Sequence, residues 1–158
     1  MISPEAISQW GKRNFALNPD ESWSSHEDYP QTPAEFFMNR MKCVYCTNHI
    51  IKDKPIYSGD CNTVNPLNAY FLSKLGYESY VAIIDQFSPN VDHAIAYGYK
   101  DGKMVLFNNA NLYTNFNSPD DWLNWKYPDL KFQSKEKIES WLNRLYSQGH
   151  HKYFDEEV

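Results

Sequence analysis

Three positions in the middle of the chain have the residue types and the order of a thiol-nucleophile site: Cys61 within Gly59-Asp60-Cys61, then His93, then the pair Asn108-Asn109. A thiol becomes a strong nucleophile when a neighbouring imidazole and a helix N-terminus favour its thiolate, and the imidazole works best when a third polar group fixes its tautomer. Linear spacing does not bring such residues together, but here part of the geometry follows from a turn. The runs Asp92–Tyr99 and Lys103–Asn108 are rich in β-forming residues and flank Asp101-Gly102, among the strongest signals for a two-residue hairpin loop. Such a loop puts Lys100 opposite Lys103, Tyr97 opposite Leu106 and Ile95 opposite Asn108. Opposed residues share a face and faces alternate along a strand, so His93 and Asn108 lie on one face as diagonal neighbours while Asn109 points the other way. The candidate catalytic set is therefore Cys61, His93 and Asn108, with Asn109 and Asn111 read as turn or capping residues.

The elements that must position these residues are partly legible. From Asn65 to Leu75 the apolar residues Leu67, Tyr70, Phe71 and Leu75 form one helical stripe, and Gly76 is placed to stop it. Cys61 falls just before or within the first turn, where backbone N–H groups and the helix dipole favour an anion. Pro66 is most comfortable in a first turn capped by Asn65 and would kink a helix begun at Asp60, which leaves open a helix that starts after the nucleophile. Ser3-Pro4-Glu5 and Thr32-Pro33-Ala34-Glu35 each open a helix, the second apolar at Phe36, Phe37 and Met41. Ser134 is expected to cap a final helix with Ile138, Trp141, Leu142 and Leu145 on its buried stripe. Leu17 to Tyr29 reads as a polar connection anchored by Trp23, and Lys52 to Gly59 as a connection to the motif. Asn115 to Tyr127, with Trp122 and Trp125, reads as an aromatic, turn-rich segment that either covers core or walls a cleft.

Taken together, the segments Asp28–Phe36, Gly59-Asp60-Cys61, Tyr70–Gly76, Val81–Ile84, Asp92-His93-Ala94 and Val105–Asn109 resemble the transglutaminase-like cysteine proteinases of bacteria, over roughly the middle half of the chain. In that family a Gly-Asp-Cys motif opens a helix, a His begins a later strand, and a Leu-Asp-Asn-like segment carries the acidic member. The resemblance implies Cys61 as nucleophile, His93 as base and Asn108 where the family usually has Asp. It also implies a papain/transglutaminase-like α+β domain over 1–158: N-terminal helices, the nucleophile helix packed on an antiparallel sheet, and a C-terminal helix. Two departures are visible. Asn62-Thr63-Val64 follow the cysteine where the family commonly has acidic residues, so no calcium or substrate role of those acids carries over. Asn in place of Asp offers less negative charge to an imidazolium, although papain-like enzymes work with Asn.

Composition bounds the alternatives. At 158 residues and 42% hydrophobic, the chain is long enough for one compact core and short of two ordinary domains. A net charge of −5 with no Lys/Arg run argues against a nucleic-acid surface or a polybasic membrane anchor and favours soluble partners; the resemblance implies a protein or peptide substrate. The polar start Met1-Ile-Ser-Pro-Glu5 and the absence of a long apolar stretch make a cytoplasmic location the expectation. Three cysteines, an odd number, read as thiols rather than as a disulfide framework. Cys43 and Cys46, followed by His49, have the spacing of one edge of a zinc site but lack the matching second pair, so no metal or other cofactor is expected. Singly, a cysteine is more often a small buried hydrophobe and a strand histidine a structural residue; the ordered set favours a cysteine amidohydrolase or acyl transferase. The competing readings are an inactive protein-binding module on the same scaffold and a small zinc-binding adaptor.

Overall fold

The structure, a computed structural model, describes residues 2–17, 32–38, 57–59, 61–88, 91–150 and 152. Helix α1 (Pro4–Asn14) starts where Ser3 Oγ accepts from the N–H of Ala6 at 3.0 Å, and it runs into a short strand β1 (Phe15–Leu17). Helix α2 (Pro33–Met38) opens with a reciprocal cap: Glu35 N–H donates to Thr32 Oγ1 at 3.2 Å and Thr32 N–H to Glu35 Oε1 at 3.0 Å. Strand β2 (Tyr57–Gly59) pairs in parallel with β1, a contact the sequence reading did not anticipate. The long helix α3 (Cys61–Lys74) follows at once. It ends in a Schellman motif, with Gly76 at φ +91°, Gly76 N–H on Ser73 C=O and Tyr77 N–H on Leu72 C=O.

The main sheet is antiparallel, in the order β6-β5-β4-β3-β7. Its strands are β3 (Glu78–Ser88), β4 (Val91–Lys100), β5 (Lys103–Asn108), β6 (Asn111–Tyr113) and β7 (Phe132–Lys137). The β4–β5 register is the expected one, Lys100 opposite Lys103 and Tyr97 opposite Leu106. Asp101 at φ +53° and Gly102 at φ +75° supply the two left-handed residues that a tight primed turn needs.

Alternation along β4 decides what can pack on each face. Ala94, Ala96 and Gly98 are small and lie on the side covered by α1, α3 and α5 (Ile138–Ser147), where Val81, Val105, Phe107, Ile7, Leu72, Trp141 and Leu145 complete a buried core. Their small size lets neighbouring backbone approach closely; a Cβ on Gly98 would stand 3.1 Å from Cβ of Tyr77, in the connection after α3. Ile95 and Tyr97 are large and point to the other side. That face is closed by α4 (Pro119–Lys126), which lowers Trp122 and Leu123 onto Ala82, Ile84, Met104 and Leu106. The architecture is α+β with helices packed against a five-stranded antiparallel sheet, as expected. Among the described residues no helix is long and apolar enough to cross a membrane.

Of the two helix starts left open, the structure has the earlier: α3 begins at Cys61, within the first turn, and Pro66 sits inside it as the sixth residue. Two expectations need correction. Ser134 does not cap the last helix: it lies in β7, paired with Ile83, and the helix begins at Ile138 with Lys137 at its cap position. The segment Asn115–Tyr127 contains α4, started by Ser118 Oγ accepting from Asp121 N–H at 3.1 Å. The stripe Ile138, Trp141, Leu142 and Leu145 is buried as read. Trp23, Met41 and most of the connections around them lie outside the described residues.

Candidate active site

Cys61 is the first residue of α3 and half-buried. As the first helical residue it belongs to the turn whose N–H groups have no partner within the helix and whose dipole end is positive. Among the described residues no acidic side chain stands in that turn. Pro66 has no N–H to return to the C=O of Asn62, which weakens the helix ladder within a turn of the cysteine. A side chain supplements it: Asn65 Nδ2–H donates to Cys61 C=O at 3.2 Å.

His93 lies near the start of β4, opposite Ile84 and beside an irregularity in β3 between Ile84 and Ser88. A bulge at this place re-aims the neighbouring backbone, a device common beside functional sites. His93 Nε2 and Asn108 Oδ1 are 2.7 Å apart. The amide oxygen can only accept, so Nε2 carries the proton, and in its neutral form the ring then presents its lone pair on Nδ1. Both residues are half-buried, dry enough for the bond to hold the ring and open enough for chemistry. This is the diagonal pairing expected from strand parity.

Asn109 turns away from His93, also as expected, but it is more than a turn residue. It holds φ +57°, a left-handed conformation that Asn tolerates better than most residues. Its N–H donates to Asn65 Oδ1 at 3.0 Å, its Oδ1 accepts from Asn65 Nδ2 at 3.0 Å, and its C=O accepts from Asn68 Nδ2 at 2.8 Å. Asn65 also donates to Ala94 C=O, the residue after His93, at 2.8 Å. Asn65 and Asn68 are buried. The sequence reading gave Asn65 only a capping role and did not single out Asn68; two amides three residues apart within an apolar helical run were the available signal.

The structure thus joins His93 and Asn108 directly, and through Asn65 ties Cys61 to the strand of His93 and to the turn that follows Asn108. Among the described residues no group of three or more His, Cys, Asp or Glu is placed to hold a metal ion, while Cys43, Cys46 and His49 lie outside those residues. No known protein family, characterised protein or solved structure matches the chain.

Proposed function

We propose that the chain is a thiol-dependent amide hydrolase or acyl transferase acting on a protein or peptide, with Cys61 as nucleophile, His93 as base and acid, and Asn108 as orienter, on a papain/transglutaminase-like scaffold. The observation that carries this reading is the 2.7 Å bond between His93 Nε2 and Asn108 Oδ1, beside the strand and the turn that Asn65 ties to the helix start bearing Cys61. The family resemblance of Gly59-Asp60-Cys61, Asp92-His93-Ala94 and the Asn108 segment supports the same reading.

In this mechanism His93 Nδ1 takes the thiol proton and the sulfur attacks the amide carbon, moving the C=O electron pair onto oxygen. N–H groups of the first turn of α3, that of Cys61 among them, stabilise the oxyanion. The pair returns, the C–N bond breaks, and His93 gives its proton to the leaving amine, which leaves a thioester on Cys61. Water, deprotonated by His93, then releases the acid and restores the thiol. An amine in place of water gives acyl transfer.

The test is alkylation of Cys61 as a function of pH, read by peptide mapping after iodoacetamide treatment. An assisted thiolate reacts at about pH 6, where a thiol of ordinary pKa near 8.5 is roughly 0.3% ionised. His93→Ala is expected to return Cys61 to the ordinary titration, and a folded variant with the wild-type profile refutes the dyad. A second reading, a protein-binding module without catalysis, is favoured by Trp125, which is 58% exposed beside Phe116 and Tyr113. It predicts an ordinary Cys61 titration in the wild type.

A further inference from the structure

We propose that Asn65 is the positioning residue of this site: one buried amide holds Cys61, the strand of His93 and the turn that follows Asn108 in register. The inference rests on the catalytic reading above and adds to it what fixes the geometry of the three residues.

Hydrogen-bond capacity limits what Asn65 can do. A carboxamide has two N–H donors and one oxygen with two lone pairs. Asn65 Nδ2 faces three acceptors, Cys61 C=O at 3.2 Å, Ala94 C=O at 2.8 Å and Asn109 Oδ1 at 3.0 Å. Its Oδ1 accepts from Asn109 N–H at 3.0 Å and lies 3.5 Å from Asn68 Nδ2. The amide is fully used and fully buried, so it has nothing left for a substrate and acts through others. What it touches is the nucleophile's own carbonyl and the residues immediately after the base and the orienter.

Two features give this clamp a task. The N–H that Pro66 lacks would have met Asn62 C=O, so the ladder is thinned in the turn that carries Cys61, and the Asn65 side chain adds a bond to the neighbouring Cys61 carbonyl. Asn109 must stay at φ +57° for the chain to leave β5 with Asn108 aimed at His93, and Asn65 grips both its N–H and its side chain, while Asn68 takes its C=O. A slip of the turn would move Asn108 off the imidazole, and a slip of the helix start would move the sulfur. Networks of this kind fix geometry in proportion to how completely they are satisfied.

The experiment compares the pH profile of Cys61 alkylation with thermal stability in four variants of the full chain. Asn65→Ala is expected to raise the apparent thiol pKa by about one unit and slow alkylation about tenfold on the acid side. Asn109→Gly keeps the left-handed turn and both backbone bonds but removes the Oδ1 acceptor; a loss of about threefold with an unchanged melting midpoint is expected. Leu145→Ala, in the core on α5, lowers the midpoint and leaves the profile in place. His93→Ala reports on the underlying reading. If His93→Ala shifts the profile while folded Asn65→Ala and Asn109→Gly match wild type, the positioning role is wrong and the dyad stands. If His93→Ala has no effect, the dyad itself is wrong. A shift in Leu145→Ala equal to that in Asn65→Ala would reduce the clamp to general stability and overturn it. Should Asn65→Ala fail to fold, Asn109→Gly decides alone.

Discussion

At the residue scale, Asn108, the proposed orienter, is the position where chemistry and parity meet. Asn108 donates no charge to the imidazole; it fixes which nitrogen carries the proton, through a single bond from Nε2–H. Asn108→Ala is expected to leave the protein folded and to lower Cys61 alkylation on the acid side by roughly tenfold, since the ring then samples both tautomers and other rotamers. Asn108→Asp works with the opposite sign. A carboxylate there stabilises the imidazolium, so the thiolate–imidazolium pair extends to lower pH on the thiol limb and to higher pH on the imidazolium limb. Kinetics of alkylation across the pH range in the two variants check both statements, and equal profiles for Ala and Asp would remove Asn108 from the site. The pair His93 and Asn108 was legible because a two-residue loop converts sequence separation into facing. The role of Asn65 was not, because nothing local says that an amide on a helix will meet a turn 44 residues away.

Among the elements, the same distinction separates what could be read from what could not. The buried stripe of α5, the caps of α1 and α2 and the Gly76 stop are local signals, and each stands where the residues put it. Strand β7 is not local: Phe132–Lys137 is charged and alternates poorly, and it is a strand because Ile84 to Tyr80 offer it a ladder. That pairing claims Ser134, which the sequence alone offers as a helix cap. Helix α4 did announce itself, through Ser118-Pro119-Asp120-Asp121, a cap, a first-turn proline and two acids, but the surrounding aromatics and turn formers masked it. Ser118→Ala is expected to lower stability by about 1 kcal/mol in urea unfolding. Gly98→Ala should cost more, about 1–3 kcal/mol. Its new methyl would meet Tyr77 Cβ at 3.1 Å, Glu78 C=O at 3.3 Å and Ser79 Oγ at 3.3 Å, two of them atoms that cannot swing aside.

For the whole molecule, the two faces of the sheet differ in chemistry. The face toward α3 is mostly aliphatic, with Val81, Ala94, Ala96 and Val105 beside Phe107; the other is laid with tyrosines, among which Tyr80 and Tyr97 stack at 4.9 Å and Tyr97 meets Tyr99 edge-on. Burial, then the neighbouring Tyr80 and Tyr99 phenols, push the Tyr97 hydroxyl far above its ordinary range, and a hydrogen bond to Glu78 pushes Tyr80 up to about 12. Burial also raises Tyr99 and Tyr127. A phenol raised in the folded state contributes stability that is complete below its unfolded pKa and is lost as pH climbs toward the folded value. The urea midpoint should therefore hold steady up to about pH 9.5 and fall from about pH 10 upward, with the phenolate absorbance of Tyr97 developing only as the fold is lost. Full phenolate absorbance before any loss of structure would contradict the burial of this face. The sheet also separates two indoles. Trp141 is buried on the α3 side and Trp122 under α4, and among the described residues neither Nε1 has a hydrogen-bond partner. An indole in such surroundings emits toward the blue and shifts to the red when water arrives. Each layer therefore carries its own optical reporter, and single-tryptophan variants would show by colour alone whether α4 lifts from the sheet before the helices on the opposite face let go.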